Sequence, residues 1–419
     1  MMLSANTTKK LGIFFCLYIA QTIPMSFFST VIPVLMRQEN FSLAAIGMLQ
    51  LIKLPWILKF LWSPFVDRSS TTLKHYKYWI FSSELIYASI IFMVAFLNFT
   101  TNFYVILGLI ITSFIASATQ DIATDALAVL SFCKRDKSLA NSMQSMGSFA
   151  GTMIGSGLLL LLFKQFGWER ILPFLAVFVL VALIPLYFYR GKGIDTGAMK
   201  QKAKKADVLL FFTQKGIGKQ ILFLFFFYSG LIGILAMLKP FMVDLGYDMK
   251  KIGVMSGIAG TSIGFVCSFA GGFILRKLGL YKTRITFAGL ILLTCAYFYT
   301  ISLYTPSTIQ LYIGIFLLWG SYGMATIVVY TSAMLRVRPG REGTDFTIQT
   351  VITHLSGMFM AIVGGRIADH FGYNGLFLIE TFIAMISFVY VTVVMKESKQ
   401  EETSDIASAN CTSIEAIQE

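Results

Sequence analysis

Charge is scarce in this 419-residue sequence: 13% of its residues are Asp, Glu, Lys or Arg, about half the share of an ordinary soluble domain. The apolar share is 56% and the mean hydropathy +0.73. A soluble core cannot absorb that much apolar surface, whereas a bilayer can. Cysteine is also sparse. Cys16, Cys133, Cys267, Cys295 and Cys411 are odd in number, scattered and without a CxxC, which argues against a disulfide framework and a cysteine metal site. No GxxxxGK[ST] occurs; Gly216-Ile217-Gly218-Lys219 lacks both the following hydroxyl and the earlier glycine, so no nucleotide-driven pump is encoded here. HExxH, GxSxG and Cys/His clusters are missing as well. Neither an enzyme, a metal nor a cofactor is therefore expected.

What fills the sequence instead is long apolar runs. Twelve spans are predicted, at 11–36, 43–65, 78–97, 103–130, 139–163, 170–189, 220–243, 251–275, 285–303, 308–335, 346–365 and 376–395. Each is long enough to cross about 30 Å of hydrocarbon. The first follows Lys9-Lys10 and runs too long for a signal-peptide core, so it reads as a retained span. The net charge of +13 would suggest nucleic acid in a soluble protein. Here its distribution matters more: one alternating set of loops, with the termini, holds 25 Lys/Arg, the other set six, and three lie inside spans. The positive-inside rule then puts both termini in the cytoplasm. Residues 190–219, with eight basic side chains, form a linker between six-span halves at 1–189 and 220–395. A topogenic role accounts for its charge; lipid-headgroup recognition is the alternative. Residues 396–419 read as a solvated, disordered cytoplasmic tail.

The halves repeat one another. A shift of 206 aligns Met36, Phe41, Ile46 and Gly47 with Met242, Tyr247, Ile252 and Gly253. A shift of 205 aligns Ser142-Met143-Gln144 with Thr347-Ile348-Gln349, and Phe166-Gly167-Trp168 with Phe371-Gly372-Tyr373. A frame GGxIxxxxG recurs at Gly271 to Gly279 and Gly364 to Gly372, at span ends facing opposite sides of the membrane. Together these predict an all-α membrane protein of twelve helices in two halves of 3+3 inverted units, the build of an alternating-access transporter with its solute near the midplane.

Apart from Arg170 and Lys251 at span starts, seven charged residues fall inside the spans, where insertion costs about 2.5–3.5 kcal/mol each and function is the default suspicion. Glu84 and Glu380 lie nearer a surface, and snorkelling or a helix-packing hydrogen bond accounts for them. Ser113, Ser117, Gln120, Asp121, Thr124 and Asp125 form one stripe on span 4, which must face protein or water. Lys59, on the antiparallel span 2, should reach the depth of Asp121, so an ion pair is expected, either structural or functional. Lys53 and Lys239 are further cations for an anionic solute, although Lys239 could snorkel. Gln144 with Ser148, and Gln349 with Thr353, place matching polar stripes on spans 5 and 11, to line a cavity or bond neighbouring helices. His354 reads as a packing residue rather than a proton relay. Asp67-Arg68, in the loop after span 2, either offers an acid to the positive end of a neighbouring helix or belongs to an ordinary charged loop.

The stretch from Leu54 to Arg68 (LPWILKFLWSPFVDR), the span-4 stretch Ala118-Thr119-Gln120-Asp121-Ile122-Ala123-Thr124-Asp125, and Gly343-Thr344-Asp345-Phe346-Thr347-Ile348-Gln349 resemble signatures of one branch of the major facilitator superfamily. That branch holds AmpG-type muropeptide permeases, RhtX/FptX-type siderophore permeases and acetyl-CoA transporters. The resemblance covers both halves. It implies a proton-coupled importer of a small solute in the bacterial inner membrane, working as a monomer, with Asp121 and Asp125 as coupling or substrate residues. Asp67 and Arg68, with Asp345, would form the gating motif. Ser69-Ser70 depart from the common loop pattern of that motif. Muropeptide permeases of the branch tend to carry two further spans, and the ATQDIATDALAV and LKPFMVDLG stretches look closer to the siderophore group. A siderophore importer is thus the first expectation, a muropeptide permease the second, and a non-transporting receptor or membrane enzyme the third.

Overall fold

The structure is a computed structural model that describes residues 4–39, 52–189 and 203–397. Every element in it is helical. In chain order these are α1 (Ala5–Gln38), α2 (Leu54–Leu58), α3 (Ser63–Ser69), α4 (Leu73–Val94), α5 (Phe103–Ser131), α6 (Lys137–Thr152), α7 (Leu159–Phe166), α8 (Trp168–Val181) and α9 (Ile184–Tyr187). After the linker come α10 (Asp207–Phe211), α11 (Ile217–Phe226), α12 (Ser229–Asp244), α13 (Met249–Ile252), α14 (Thr261–Leu278), α15 (Leu280–Ser302), α16 (Thr308–Leu335) and α17 (Glu342–Val393).

Among the described residues ten helices are long and apolar enough to cross a membrane. In their most apolar windows only 33% to 67% of residues are buried. The many large apolar side chains left exposed, Phe96, Phe174 and Ile309 each at least 70% among them, are natural against lipid. α17 is a pair of helices joined at Gly372, where the sequence predicts spans 11 and 12. Of the second predicted span only residues 52–65 are described, as α2, a 3₁₀ turn at Lys59–Leu61 and the start of α3. The predicted tail lies outside the described residues apart from Lys396 and Glu397, and so does the linker over 190–202.

The repeated glycine frame is a repeated backbone. Gly167 (φ 73°, ψ 179°), Gly279 (φ 81°, ψ 164°) and Gly372 (φ 68°, ψ 179°) each end one helix and open the next. That combination is accessible essentially to glycine alone. The recurrence of the triplets around Gly167 and Gly372 therefore has a conformational cause. Two of the helices leading into these junctions also loosen into π-turns, at Met153–Leu158 and Gly253–Gly260, both rich in glycine. Elsewhere helix ends follow ordinary capping. Ser307 and Gln310 close a reciprocal box at the start of α16, with distances of 3.3 and 2.8 Å.

The chain divides into two compact units. The first comprises residues 1–131, 147–209 and 337–351; the second comprises 132–146, 210–336 and 352–419. In the first, α4 lies along α5, and an aromatic knot gathers Phe28, Phe99 and Phe163 around Trp168. The Trp168 indole N–H donates to the Val94 carbonyl at 3.0 Å.

Candidate functional site

The first unit holds a buried polar cluster built from three elements. α5 supplies Asp121 and Asp125, one turn apart and 2% and 0% exposed. α1 supplies Tyr18 and Gln21, three residues apart and therefore on one face. The 3₁₀ turn supplies Lys59, 1% exposed, between two short helices that carry Pro55 and Pro64 in their first turns. Proline is tolerated there because the missing N–H has no intrahelical partner anyway.

Lys59 forms an ion pair with Asp121 Oδ2. Gln21 Nε2 donates to Asp121 Oδ1 at 2.9 Å, and the Tyr18 hydroxyl donates to Asp125 Oδ1 at 2.8 Å. The Lys59 ammonium also stands 5.3 Å from the centre of the Trp56 ring, a favourable place for a partly desolvated cation. Both side-chain polar atoms of Gln120, 0% exposed, have no hydrogen-bond partner, although it sits within the same stripe.

Close helix approach is what presents Tyr18 and Gln21. Gly147, Gly151 and Gly155 recur every four residues on the α6 side, and a Cβ on Gly147 would lie 2.7 Å from Tyr18 Cβ. A Cβ on Gly151 would lie 2.6 Å from Thr22 Cβ. Small residues at this spacing let two membrane helices meet backbone to backbone. Tyr18 and Gln21 are not marked by the sequence of α1 alone, since the glycine stripe that draws them in lies on another helix.

A second constellation, also in the first unit, surrounds Asp67. Its Oδ1 accepts from the Tyr76 hydroxyl (2.8 Å) and the Gly343 N–H (3.1 Å). Its Oδ2 accepts from the Thr344 N–H and hydroxyl, both at 2.7 Å. An acid thus caps the first turn of α17, where free N–H groups and the helix dipole favour an anion. A Cβ on Gly343 would stand 2.8 Å from Asp67 Oδ1, so only glycine admits the carboxylate this closely. Burial pushes the Asp67 carboxyl up to about 6, a rise the Thr344 and Tyr76 hydrogen bonds partly offset and the Glu342 carboxylate adds to. Asp345 accepts from Arg338 Nε (2.8 Å), an Arg338 Nη (2.6 Å) and the Arg338 N–H (2.9 Å). Arg341 in turn pairs with Asp207 of α10 at 3.1 Å. Arg68 is exposed, so the acid of the Asp67-Arg68 pair, and not the base, makes this clasp.

The remaining predicted residues, Gln349 excepted, fall outside both clusters. Lys53 and Lys239 are exposed. Gln349 is buried in the first unit and donates to the Asp345 carbonyl at 3.1 Å. Ser148 belongs to the same unit and is half-buried, while Gln144, Thr353 and half-buried His354 belong to the second. Glu84 and Glu380 require a correction. They are 0% and 1% exposed, and neither carboxyl has a hydrogen-bond partner, so neither snorkelling nor a packing hydrogen bond describes them. A span count gives position along the helix axis but not the face on which a residue sits.

The Major Facilitator Superfamily profile matches residues 13–361. The chain belongs to that superfamily. It is similar to the "Putative transporter AmpG 3" of Rickettsia typhi, 24% identical over 376 residues that cover 85% of this chain and 89% of that one. It is also similar to the anhydromuropeptide permease of Escherichia coli, 20% identical over 392 residues that cover 92% and 80% of the two chains. Among solved structures the human organic anion transporter MFSD10 superimposes with a TM-score of 0.70 at 14% identity, covering 92% and 99% of the two chains. The last match concerns the fold alone. With the relatives, these findings make the chain a multi-pass membrane transporter of the AmpG-like branch, whose fold is the all-helical one expected from the sequence.

Proposed function

We propose that this protein is a proton-coupled importer of anhydromuropeptide-type cell-wall fragments across the bacterial inner membrane. Both termini are cytoplasmic, and a monomer of two six-helix halves, joined by the 190–219 linker, is the working unit. The observation that carries the coupling is the placing of two buried carboxylates, Asp121 and Asp125, one turn apart on α5. Asp121 is ion-paired to Lys59, and Asp125 accepts from the Tyr18 hydroxyl. Two like charges this close in a low-dielectric interior repel, and one proton relieves that repulsion. Loss of that proton restores it while leaving the Lys59 and Asp121 pair intact, which gives proton release a direct handle on the packing of α1, α5 and the Lys59 turn.

The solute rests on the relatives. The E. coli permease carries anhydromuropeptide in its name, and AmpG-type names recur among the similar proteins. The siderophore reading keeps one support of its own, the ATQDIATDALAV and LKPFMVDLG stretches. In either case Lys53 and Lys239 are the cations proposed to recognise an anionic solute. Gln120 is proposed, with the two aspartates, for coupling or substrate binding, and Gln144, Ser148, Gln349, Thr353 and His354 remain proposed cavity-lining residues. The test is uptake into proteoliposomes carrying an imposed proton gradient, with labelled anhydromuropeptide and a ferric siderophore offered separately. Accumulation of the muropeptide that a protonophore abolishes is the expected result. Accumulation of the siderophore alone would reverse the substrate assignment, and accumulation indifferent to the protonophore would refute the coupling.

A further inference from the structure

The second unit contains a buried carboxyl that the first cluster does not use. Glu380, in the second helix of α17, is 1% exposed, and neither of its oxygens has a hydrogen-bond partner. Its surroundings are shaped to it. An ideal Cβ on Gly233 of α12 would collide with Glu380 Oε1, and its distance to the carboxyl carbon would be only 2.6 Å. One turn earlier, a Cβ on Gly230 would stand 2.8 Å from the Glu380 carbonyl oxygen. On the first helix of α17, a Cβ on Gly364 would lie 3.9 Å from Glu380 Oε1 and 3.5 Å from the Gly233 Cα. Three glycines on two helices therefore leave the space that this one side chain fills.

The niche is electrically bare. α15 presents the Cys295 thiol, whose Sγ would lie 3.4 Å from a Cβ on Gly230. The titratable groups of α12 itself, Lys239 and Asp244, are exposed and lie six and eleven residues past Gly233. The first helix of α17 presents Gly364. Among the described residues no cation pairs with Glu380. An ionised carboxylate in such a place has neither a counter-charge nor a donor, and its desolvation goes uncompensated. A neutral carboxylic acid incurs only the smaller cost of an unmade hydrogen bond.

We propose that Glu380 is a proton-binding site of the second unit, whose occupancy holds α12 against the second helix of α17. With its proton the side chain stays in the glycine niche. Without it the carboxylate leaves the niche for water or a donor, and the two helices lose their closest contact. The inference rests on the proton-coupled reading above and adds to it a second proton position, independent of Lys59, Asp121 and Asp125.

Infrared difference spectra of the reconstituted protein between acid and alkaline pH read the proton directly. A carboxylic C=O band that bleaches on alkalinisation in the wild type and is missing from E380Q is expected. E380Q, neutral and of the same shape, should lower gradient-driven accumulation at least tenfold while solute counterflow, which needs no net proton movement, continues. Should E380Q fail to fold, E380D serves instead: it withdraws the acid from the niche by one methylene, and a lower midpoint of the band is the expected result. Accumulation by E380Q at the wild-type level with an unchanged pH profile would overturn the proposal, as would an E380D midpoint equal to the wild type's. If the band titrates but wild-type uptake ignores the gradient, the coupled-transport reading fails while the proton site on Glu380 stands.

Discussion

The sharpest perturbation available is the removal, singly and together, of the two partners of the buried ion pair. Asp121→Asn strands the Lys59 ammonium at 1% exposure. Lys59→Met strands the Asp121 carboxylate, which keeps only the Gln21 donor. Breaking one side of a buried pair costs about 3–5 kcal/mol, whereas replacing both can be neutral; at about 1.4 kcal/mol per factor of ten, either single change should lower the folded ratio more than a hundredfold. In the double variant the Met side chain retains the stem that packs beside Trp56, and Gln21 Nε2 keeps an acceptor in the Asn carbonyl. Folding should therefore recover. The assay has two readouts: the apparent melting temperature of the purified protein, and gradient-driven accumulation in proteoliposomes. Low melting temperatures for the single variants, with recovery in the double, establish that the pair is energetically real. The second readout decides its role. A double variant that is stable but accumulates nothing sustains coupling through this cluster. A stable double variant that transports at the wild-type rate would refute it, because a cluster that keeps its function after losing both partners of the ion pair does not couple through them.

Two further outcomes follow from the clasp and the glycine junctions. The Asp67 carboxyl lies at about 6 while α17 is held and returns to about 4 when the segment is released, so the clasped state binds the proton more tightly. Its advantage is complete below about pH 4 and is lost as the pH rises to about 6, a change worth roughly 3 kcal/mol. Exchange of the Gly343 and Thr344 amides, corrected for intrinsic base catalysis, should lose protection over that interval; protection that grows with pH would contradict the sign. Gly372→Ala forces a side chain into φ 68°, ψ 179° and should destabilise by about 1–3 kcal/mol. Gly108→Ala, with nothing within 4 Å of the new methyl, should be neutral or slightly stabilising, as expected inside a helix, and equal melting temperatures for the two would remove the conformational argument.

Residues that violate the chemistry of their own span were legible in the sequence. Asp121, Asp125 and Lys59 are charges in hydrocarbon, and three- and four-residue spacing alone puts the two aspartates on the common face of the α5 stripe. Asp67 was legible as an acid suited to a helix N-terminus. Its partners, Gly343 and Thr344, were visible only as a separate motif, because the link between the two is a contact of long sequence separation. Tyr18 and Gln21 were missed for a related reason. Nothing within α1 marks them, since an aromatic residue and one amide are ordinary in a membrane helix, and their role appears when the Gly147, Gly151 and Gly155 stripe draws α1 close. Glycine is the common element in what was read poorly. In the GGxIxxxxG frame its meaning is conformational and local, so the repeat alone exposes it. At Gly233 its meaning is the volume left for Glu380, on a helix far along the chain. A missing side chain has no pattern of its own; it acquires one from the group that occupies its place, and for Gly233 that group is an acid whose proton decides whether it can stay.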